Sequence, residues 1–334
     1  MLVQRNDVWE VSEDDFPRGS PVEAQLRFLL RYAILAPSLR NTQPWAFSVQ
    51  GNRVHLFADL RKAQPVADPD RRELYISLGC ALENLLVAAE HFGFGHAISY
   101  FPERTASEMV ATVTFEPGGT PSPPRAGATL ASMLERHNDD GVFRPVPVPE
   151  WLRIRLVACC AEPDLQILLT ADRPFHNWID ALTLVANRAE LASPQFRREL
   201  DYWIRQGVFG APPVRERLRH AANTRPELAE HVARRDHAIV ESAPLLGLVC
   251  SAGDSHLHHV RVGQLFDRLW LTATAMGVAI NPMSQTLRHP QLRAGVADML
   301  PSAGWTPQQL FRVGFGSSGQ GQRTPRRPVD EVVV

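Results

Sequence analysis

Lysine is almost missing from this chain: Lys62 is the only one among 35 basic residues, and the rest are arginine. Any Schiff base would have to form on Lys62, and the lysine of a P-loop phosphate cradle is absent. Cysteine is scarce too. Cys80, Cys159, Cys160 and Cys250 are too few to staple 334 residues. Three of them sit in apolar runs and read as small core residues, and the adjacent Cys159-Cys160 pair lacks metal spacing. Net charge is also lacking. The 35 basic residues face 36 acidic ones, for a formal charge of −1. There is no basic surplus to neutralise a nucleic-acid backbone, although a specific anion pocket needs only a few local arginines. No continuously apolar run reaches about 18 residues, and the opening MLVQRNDVWEVSEDDF has no apolar leader. These absences lead us to expect a soluble, cytoplasmic protein with reduced thiols and neither nucleic-acid nor membrane partners.

What remains is a globular composition, 44% hydrophobic and 21% charged. The length suits one large domain or two fused ones, at about 100–200 residues each. Residues 21–36 have helical periodicity and stop at Pro37. WAFSVQ and RVHLFA alternate around Gly51-Asn52, a two-residue hairpin turn. Residues 73–93 read as a long, mostly apolar helix closed by Gly93. HAISYF and MVATVTF read as strands. EPGGTPSPPRAGA (116–128) has no periodicity and reads as a linker.

The second part echoes the first. LRFLLRYAILAPS (26–38) aligns with LRIRLVACCAEPD (152–164), Pro37 falling on Pro163, an offset of 126. LGCALENLLVAAEHFGF (78–94) aligns with VGQLFDRLWLTATAMGV (262–278), Gly93 falling on Gly277, an offset of 184. The offsets differ by 58, so the second part carries an insertion of that order within roughly 172–244. Such an insertion is either a cap over something or a solvated helical decoration.

Several motifs can be weighed. Gly314-Phe-Gly316-Ser-Ser-Gly319 fits a dinucleotide glycine pattern after a strand, but the QGQRTPRRP that follows is no helix to receive a pyrophosphate. His256, His258 and His259 crowd one loop without a second ligand cluster, so helix capping or solvation accounts for them better than metal. Ala36-Pro37-Ser38-Leu39-Arg40-Asn41-Thr42-Gln43-Pro44-Trp45 offers carboxamides that donate and accept together. That suits the edge of a heteroaromatic ring, or equally a polar turn between helix and strand. Arg136-His137-Asn138-Asp139-Asp140 follows a short helical run. Arg323-Thr-Pro-Arg326-Arg327-Pro328 follows the last strand. Two arginine clusters far apart in sequence can converge on one phosphate, or be solvated surface.

Taken in order, these stretches resemble the FMN-dependent nitroreductase superfamily over about residues 21–330. APSLRNTQPWAF is similar to the loop after that family's first long helix. LERHNDD resembles its phosphate motif, NPMSQ (281–285) the loop facing the flavin ring, and RVGFG…PRRPVDEVV its closing strand and tail. More narrowly, the chain resembles the Acg-like branch, in which two nitroreductase halves share one polypeptide. The resemblance implies an α+β fold of two halves related by a pseudo-twofold axis, each with an antiparallel-rich sheet flanked by helices. Half one would span about 1–118, a linker 119–128 and half two 129–334, with residues 172–244 as a helical lid.

The resemblance also implies one flavin site. The APS loop survives only in the first half, since its counterpart is AEPDLQI, and the R-H-N motif and basic tail survive only in the second. Arg136, His137, Asn138 and either Arg326 or Arg327 would hold the phosphate. Pro37, Ser38, Asn41 and Gln43 would line the ring and ribityl chain, and Pro282, Met283 and Ser284 would offer backbone groups near the reactive edge. Asp140 stands where the family often has a basic residue, for which Arg40 or Arg144 would substitute. The activity implied is hydride transfer between NAD(P)H and a nitroaromatic or quinone-type acceptor, in a monomer acting as its own pseudo-dimer. The alternative is a lidded protein that sequesters FMN.

Overall fold

The computed structural model describes residues 6–102, 108–209, 237–316 and 323–334. Helix α1 (Val22–Ala33) buries Leu26, Leu29, Leu30 and Ala33, one stripe at helical spacing. Strands β1 (Trp45–Gln50) and β2 (Arg53–Ala58) pair antiparallel across the hairpin expected at Gly51-Asn52. Gly51 alone takes a positive φ, +60°, which a two-residue turn of this kind requires of its first residue. Helix α2 (Arg72–His91) is buried almost all round and runs through the middle of the molecule. Strands β3 (Phe94–Tyr100) and β4 (Met109–Pro117) complete an antiparallel sheet in the order β1-β2-β4-β3.

The second half repeats this plan. After α3 (Leu130–Glu135), helix α4 (Glu150–Val157) answers α1, and β5 (Leu165–Thr170) answers β1. Helices α5 (Arg173–Ala192) and α6 (Pro194–Arg205) then intervene, within the interval expected for the insertion. Strand β6 (Leu245–Ser251), helix α7 (His256–Ala275), strand β7 (Ala279–Pro282), helix α8 (Pro290–Asp298) and strand β8 (Thr306–Gly314) follow. The second sheet is antiparallel in the order β5-β6-β8-β7, the same permutation as the first. Even the irregularities match. The register slips once between the second and fourth strands of each sheet, at Leu56/Phe57 and at Val249/Cys250.

The halves meet where α2 crosses α7, and two glycines make the crossing possible. A Cβ on Gly79 would lie 2.0 Å from the Val260 carbonyl oxygen, and one on Gly263 would lie 2.0 Å from the Ile76 carbonyl oxygen. Gly79 and Gly263 are 184 positions apart, the helix offset read from the sequence. The crossing therefore sits on the pseudo-twofold axis. Around it lies one hydrophobic core shared by both halves, including Leu29, Leu78, Leu82, Leu265 and Leu269.

The insertion explains a difference between the sheets. Strand β2 alternates exposed or half-buried residues with buried ones, as a sheet covered on one face does. Strand β6, LLGLVCS, is buried throughout. Its second face is covered by α5, with Ile179 in a separate cluster with Leu246, Leu248 and Leu310. The chain's end returns to the first half, where Val334 N–H donates to the Phe47 carbonyl and Phe47 N–H to that of Val332. Among the described residues, no helix is long and apolar enough to cross a membrane.

Candidate functional site

A cleft with a cavity of about 200 Å³ lies at the seam of the halves. The first half contributes Pro37, Ser38, Leu39 and Arg40 from the loop after α1, and Glu73, Ile76, Ser77 and Cys80 from α2. The second half contributes Phe266 and Trp270 from α7, with Asn138, Pro282, Ser284, Gln285, Arg288 and Gln309. The α2 residues share one helical face, spaced three and four apart. That stripe, polar at Glu73 and Ser77 within an apolar helix, is the signal by which the sequence could have placed α2 here.

The loop is built tightly. Arg40, Asn41 and Gln43 all have positive φ, 49°, 56° and 52°, a cluster that ordinary residues adopt only under constraint. The constraint is a set of hydrogen bonds. Ser38 Oγ accepts from Gln43 N–H at 3.0 Å, and Leu39 N–H donates to Ser77 Oγ at 3.2 Å. Asn41 and Gln43, expected to line a ring, are buried and face the C-terminal tail. Asn41 Nδ2 donates to the carbonyls of Pro325 (2.8 Å) and Val208 (2.7 Å). Gln43 Oε1 accepts from Arg327 N–H at 2.8 Å, and its carbonyl accepts from the Arg327 guanidinium at 3.1 Å. These carboxamides staple the tail beneath the loop.

That staple carries Arg326 inward. Arg326 and Arg136 are both buried, and both donate to the Leu35 carbonyl, at 3.1 and 3.3 Å. Arg326 also donates to Asn41 Oδ1 at 2.8 Å and to Thr324, while its Nε has no partner. Arg136 lies 4.6 Å above the ring of Trp270, which itself lines the cleft. Burial, and then the charge of Arg136, push Arg326 well below its ordinary range. Burial lowers Arg136 as well, opposed by Asp267. Asp267 on α7 is fully buried, and neither of its carboxylate oxygens has a hydrogen-bond partner. Its own pKa is raised well above the usual carboxylate value by burial, against the pull of Arg136. Two buried guanidiniums thus share the Leu35 carbonyl, and among the described residues no carboxylate is bonded to either, an arrangement with the chemistry to accept an anion.

Of the residues expected from sequence, Pro37, Ser38, Arg40, Asn138, Pro282 and Ser284 line the cleft. Asn41, Gln43, Arg136, Arg326 and Arg327 form the layer behind the loop. His137 turns its ring to the Glu135 carbonyl at 2.9 Å. Met283 is buried in the second cluster with Leu287 and Leu310, and its N–H donates to the Leu310 carbonyl. Asp140 accepts from Asn281 Nδ2 at 3.0 Å and is absent from the cleft lining. Arg144 stacks on Phe315 at 5.4 Å, so Arg40 is the nearer cation to the cleft. The histidine cluster serves local structure: His258 shares a capping box with Ser255 and His259 pairs with Asp254. Among the described residues no group of side chains could hold a metal ion. The glycine pattern at 314–319 extends outside the described residues.

The insertion grips the cleft from both sides. Glu190 of α5 takes Arg288 at 2.6 Å, and Glu199 of α6 stands 3.6 Å from Arg40. The segment Gly207–Val214, expected within the lid, is described only to Phe209.

No family model matches the chain. It is 28% identical over 329 residues to a protein of Mycobacterium tuberculosis named putative NAD(P)H nitroreductase, covering 94% of this chain and 92% of that one. The putative NAD(P)H nitroreductase Acg of the same organism is 25% identical over 324 residues, covering 92% and 94%. PigM of a Serratia strain, a probable NAD(P)H nitroreductase, is 24% identical over 360 residues, covering 93% and 94%. Among solved structures, the FMN-dependent nitroreductase NfnB of Mycobacterium smegmatis, in complex with NADPH, matches at 18% identity and a TM-score of 0.40, over 59% of this chain and 92% of that one.

Proposed function

We propose, from the premise that the chain belongs to the nitroreductase superfamily in its Acg-like branch, that it is an FMN-dependent oxidoreductase with a single flavin site at the seam of its halves. The observation that carries this reading is the buried pair Arg136 and Arg326. Their unmet charge suits the phosphate of FMN, which the two guanidiniums would hold by charge-assisted bonds. Asn138, Pro37 and Ser38 border the space next to that corner. Trp270, Phe266 and Ile76 supply apolar walls that keep water from the ring, and Pro282 and Ser284 lie along its edge. When bound, the flavin supplies the hydride chemistry between NAD(P)H and a nitroaromatic or quinone-type acceptor. The chain's part is to bind, orient and desolvate. With the usual dimer interface spent internally, the protein acts as a monomeric pseudo-dimer. Its four free thiols suit the reducing cytoplasm.

The test is an absorption spectrum of the purified protein, followed by NAD(P)H oxidation with menadione or nitrofurazone. Flavin bands and turnover above that of free FMN are expected. A protein that stays colourless after FMN is added overturns the assignment.

One observation favours a second reading, an FMN-sequestering protein. The ion pairs Arg288–Glu190 and Arg40–Glu199 tie the insertion to both rims of the cleft. Slow flavin release together with failure of NAD(P)H to reduce the bound flavin selects that reading.

A further inference from the structure

A cleft that passes electrons between two small molecules must hold the second as well as the first, and the inference here rests on the reading above. Two guanidiniums line the mouth, Arg40 from the first half and Arg288, in the turn Thr286–Arg288, from the second. They are near enough that Arg288, after burial itself, helps push Arg40 down to about 10. Arg288 is held by Glu190, which accepts three hydrogen bonds from its Nε and Nη2 at 2.6–2.9 Å and leaves Nη1 outside the pair.

Arg40 is not saturated. Its hydrogen bond goes to the neutral Gln64 Oε1 at 2.9 Å. Its nearest carboxylate, Glu199, stays at 3.6 Å because its two oxygens already accept the N–H groups of Val66 and Ala67, each at 3.0 Å. The guanidinium lies over Phe196 at 4.5 Å, which fixes its plane without using its donors. The other carboxylate lining the cleft, Glu73, is taken up by Arg72 at 2.6 Å and by the Ser284 hydroxyl at 3.1 Å. Arg40 is therefore ion-paired but not bonded: among the described residues no carboxylate oxygen lies within hydrogen-bond distance of its guanidinium, and Glu73 on the floor is engaged elsewhere.

We propose that Arg40 and Arg288 form an anion subsite for the second ligand, gripping the carboxylate or phosphate of the molecule that exchanges electrons with the flavin. Glu199 is the competitor built into the insertion. An anionic group drawn between the two arginines relieves their mutual repulsion and gives Arg40 the bidentate partner that Glu199 cannot be. The same charge chemistry comes from an aromatic acid acceptor or from a dinucleotide phosphate, and the experiment separates these sources.

FMN-loaded protein is titrated, following the flavin difference spectrum, with two matched pairs: 4-nitrobenzoate against 4-nitrobenzamide, and NADP⁺ against NAD⁺. In the unsubstituted protein the more anionic member of one pair binds about tenfold tighter or more, as a charge-assisted contact gives. The pair that shows the preference identifies the source. Arg40→Gln removes the preference, and Glu199→Gln enlarges it about severalfold by removing the competitor. The less anionic member moves in neither variant. Loosening of the insertion cannot produce opposite signs confined to the more anionic ligand. Equal binding within both pairs, a preference that survives both Arg40→Gln and Arg288→Gln, or a Glu199→Gln effect shared equally by both members of a pair overturns the subsite. Absence of flavin bands in every protein overturns the function on which it rests.

Discussion

The seam has two corners related by the pseudo-twofold axis, and they have settled their charge in opposite ways. Glu83 on α2 and Asp267 on α7 are equivalent positions, 184 apart. In the first corner Glu83 accepts from Arg125 and from Arg268, each at 2.7 Å, and Glu162 accepts from Arg268 at 3.1 Å. Burial alone would raise the Glu83 carboxyl, but the two guanidiniums outweigh it and hold it at about 2. In the other corner the shorter Asp267 has no hydrogen-bond partner among the described residues, and Arg136 rests on Trp270 instead. A corner that is neutral by itself is architecture. A corner that keeps two buried cations without a bonded carboxylate is the one we propose as the binding site. The first corner is where the duplicate flavin site would lie by symmetry, and Arg125, from the stretch expected to be a linker, now helps fill it.

Six substitutions, at five positions, test that contrast. The largest effect belongs to Glu83→Ala, which strands Arg268 and Arg125 in the interior. Loss of about 3–5 kcal/mol in urea unfolding is expected, as for breaking one side of a buried ion pair. A loss below 1 kcal/mol, roughly a surface-pair effect, would show the network to be ornamental. The pH dependence has a definite sign. Because the folded value of Glu83 is about 2 against an ordinary 4.5, its contribution is present above 4.5 and lost as pH falls toward 2. Glu83→Gln should flatten that part of the stability profile.

In the other corner Arg136→Ala should leave unfolding nearly unchanged and weaken FMN binding by about 1.5–3 kcal/mol, the worth of one charge-assisted contact. An unchanged dissociation constant in a fluorescence titration removes Arg136 from the phosphate site. Gly79→Ala strikes the axis between the corners. Its Cβ meets a carbonyl oxygen that cannot yield, so destabilisation of about 1–3 kcal/mol is expected by thermal unfolding, with Gly263→Ala matching it. Unequal losses would break the symmetry of the crossing. The smallest effect is that of Asp267→Asn. Burial pushes its carboxyl well above the ordinary carboxylate range, so an amide of the same shape should move stability and FMN affinity by less than about 0.5 kcal/mol. A large drop in affinity would mean that Asp267 is ionised and orients Arg136.

Much of the architecture was legible because it repeats. The offset of 184 carried the crossing glycines with it, and the 58-residue surplus located α5 and α6 between β5 and β6. Motif order brought the PSLRN loop and the RHN corner together in space. Less legible was what each side chain does once there. Asn41 and Gln43 have the chemistry to meet a ring edge, but left-handed backbone at both positions turns them toward the tail. Met283 has no polar atom to aim and joins the nearest apolar cluster. The partners of Arg40 and Arg288 were hidden because Glu190 lies on a helix docked over β6 and Glu199 on one that packs through Phe196, Leu200 and Ile204 against Ala67, contacts no local pattern announces. The Glu83 network joins single residues more than forty positions apart, with no local pattern to announce it.

The glycine crossing has one mechanical outcome. Helices whose backbones touch have no slack, so α2 and α7 cannot slide or rock without a collision of main chains. Whatever admits or releases a small molecule must therefore happen at the rim, among side chains and the inserted helices. The central pair serves as a fixed spindle, its width set by Gly79 and Gly263.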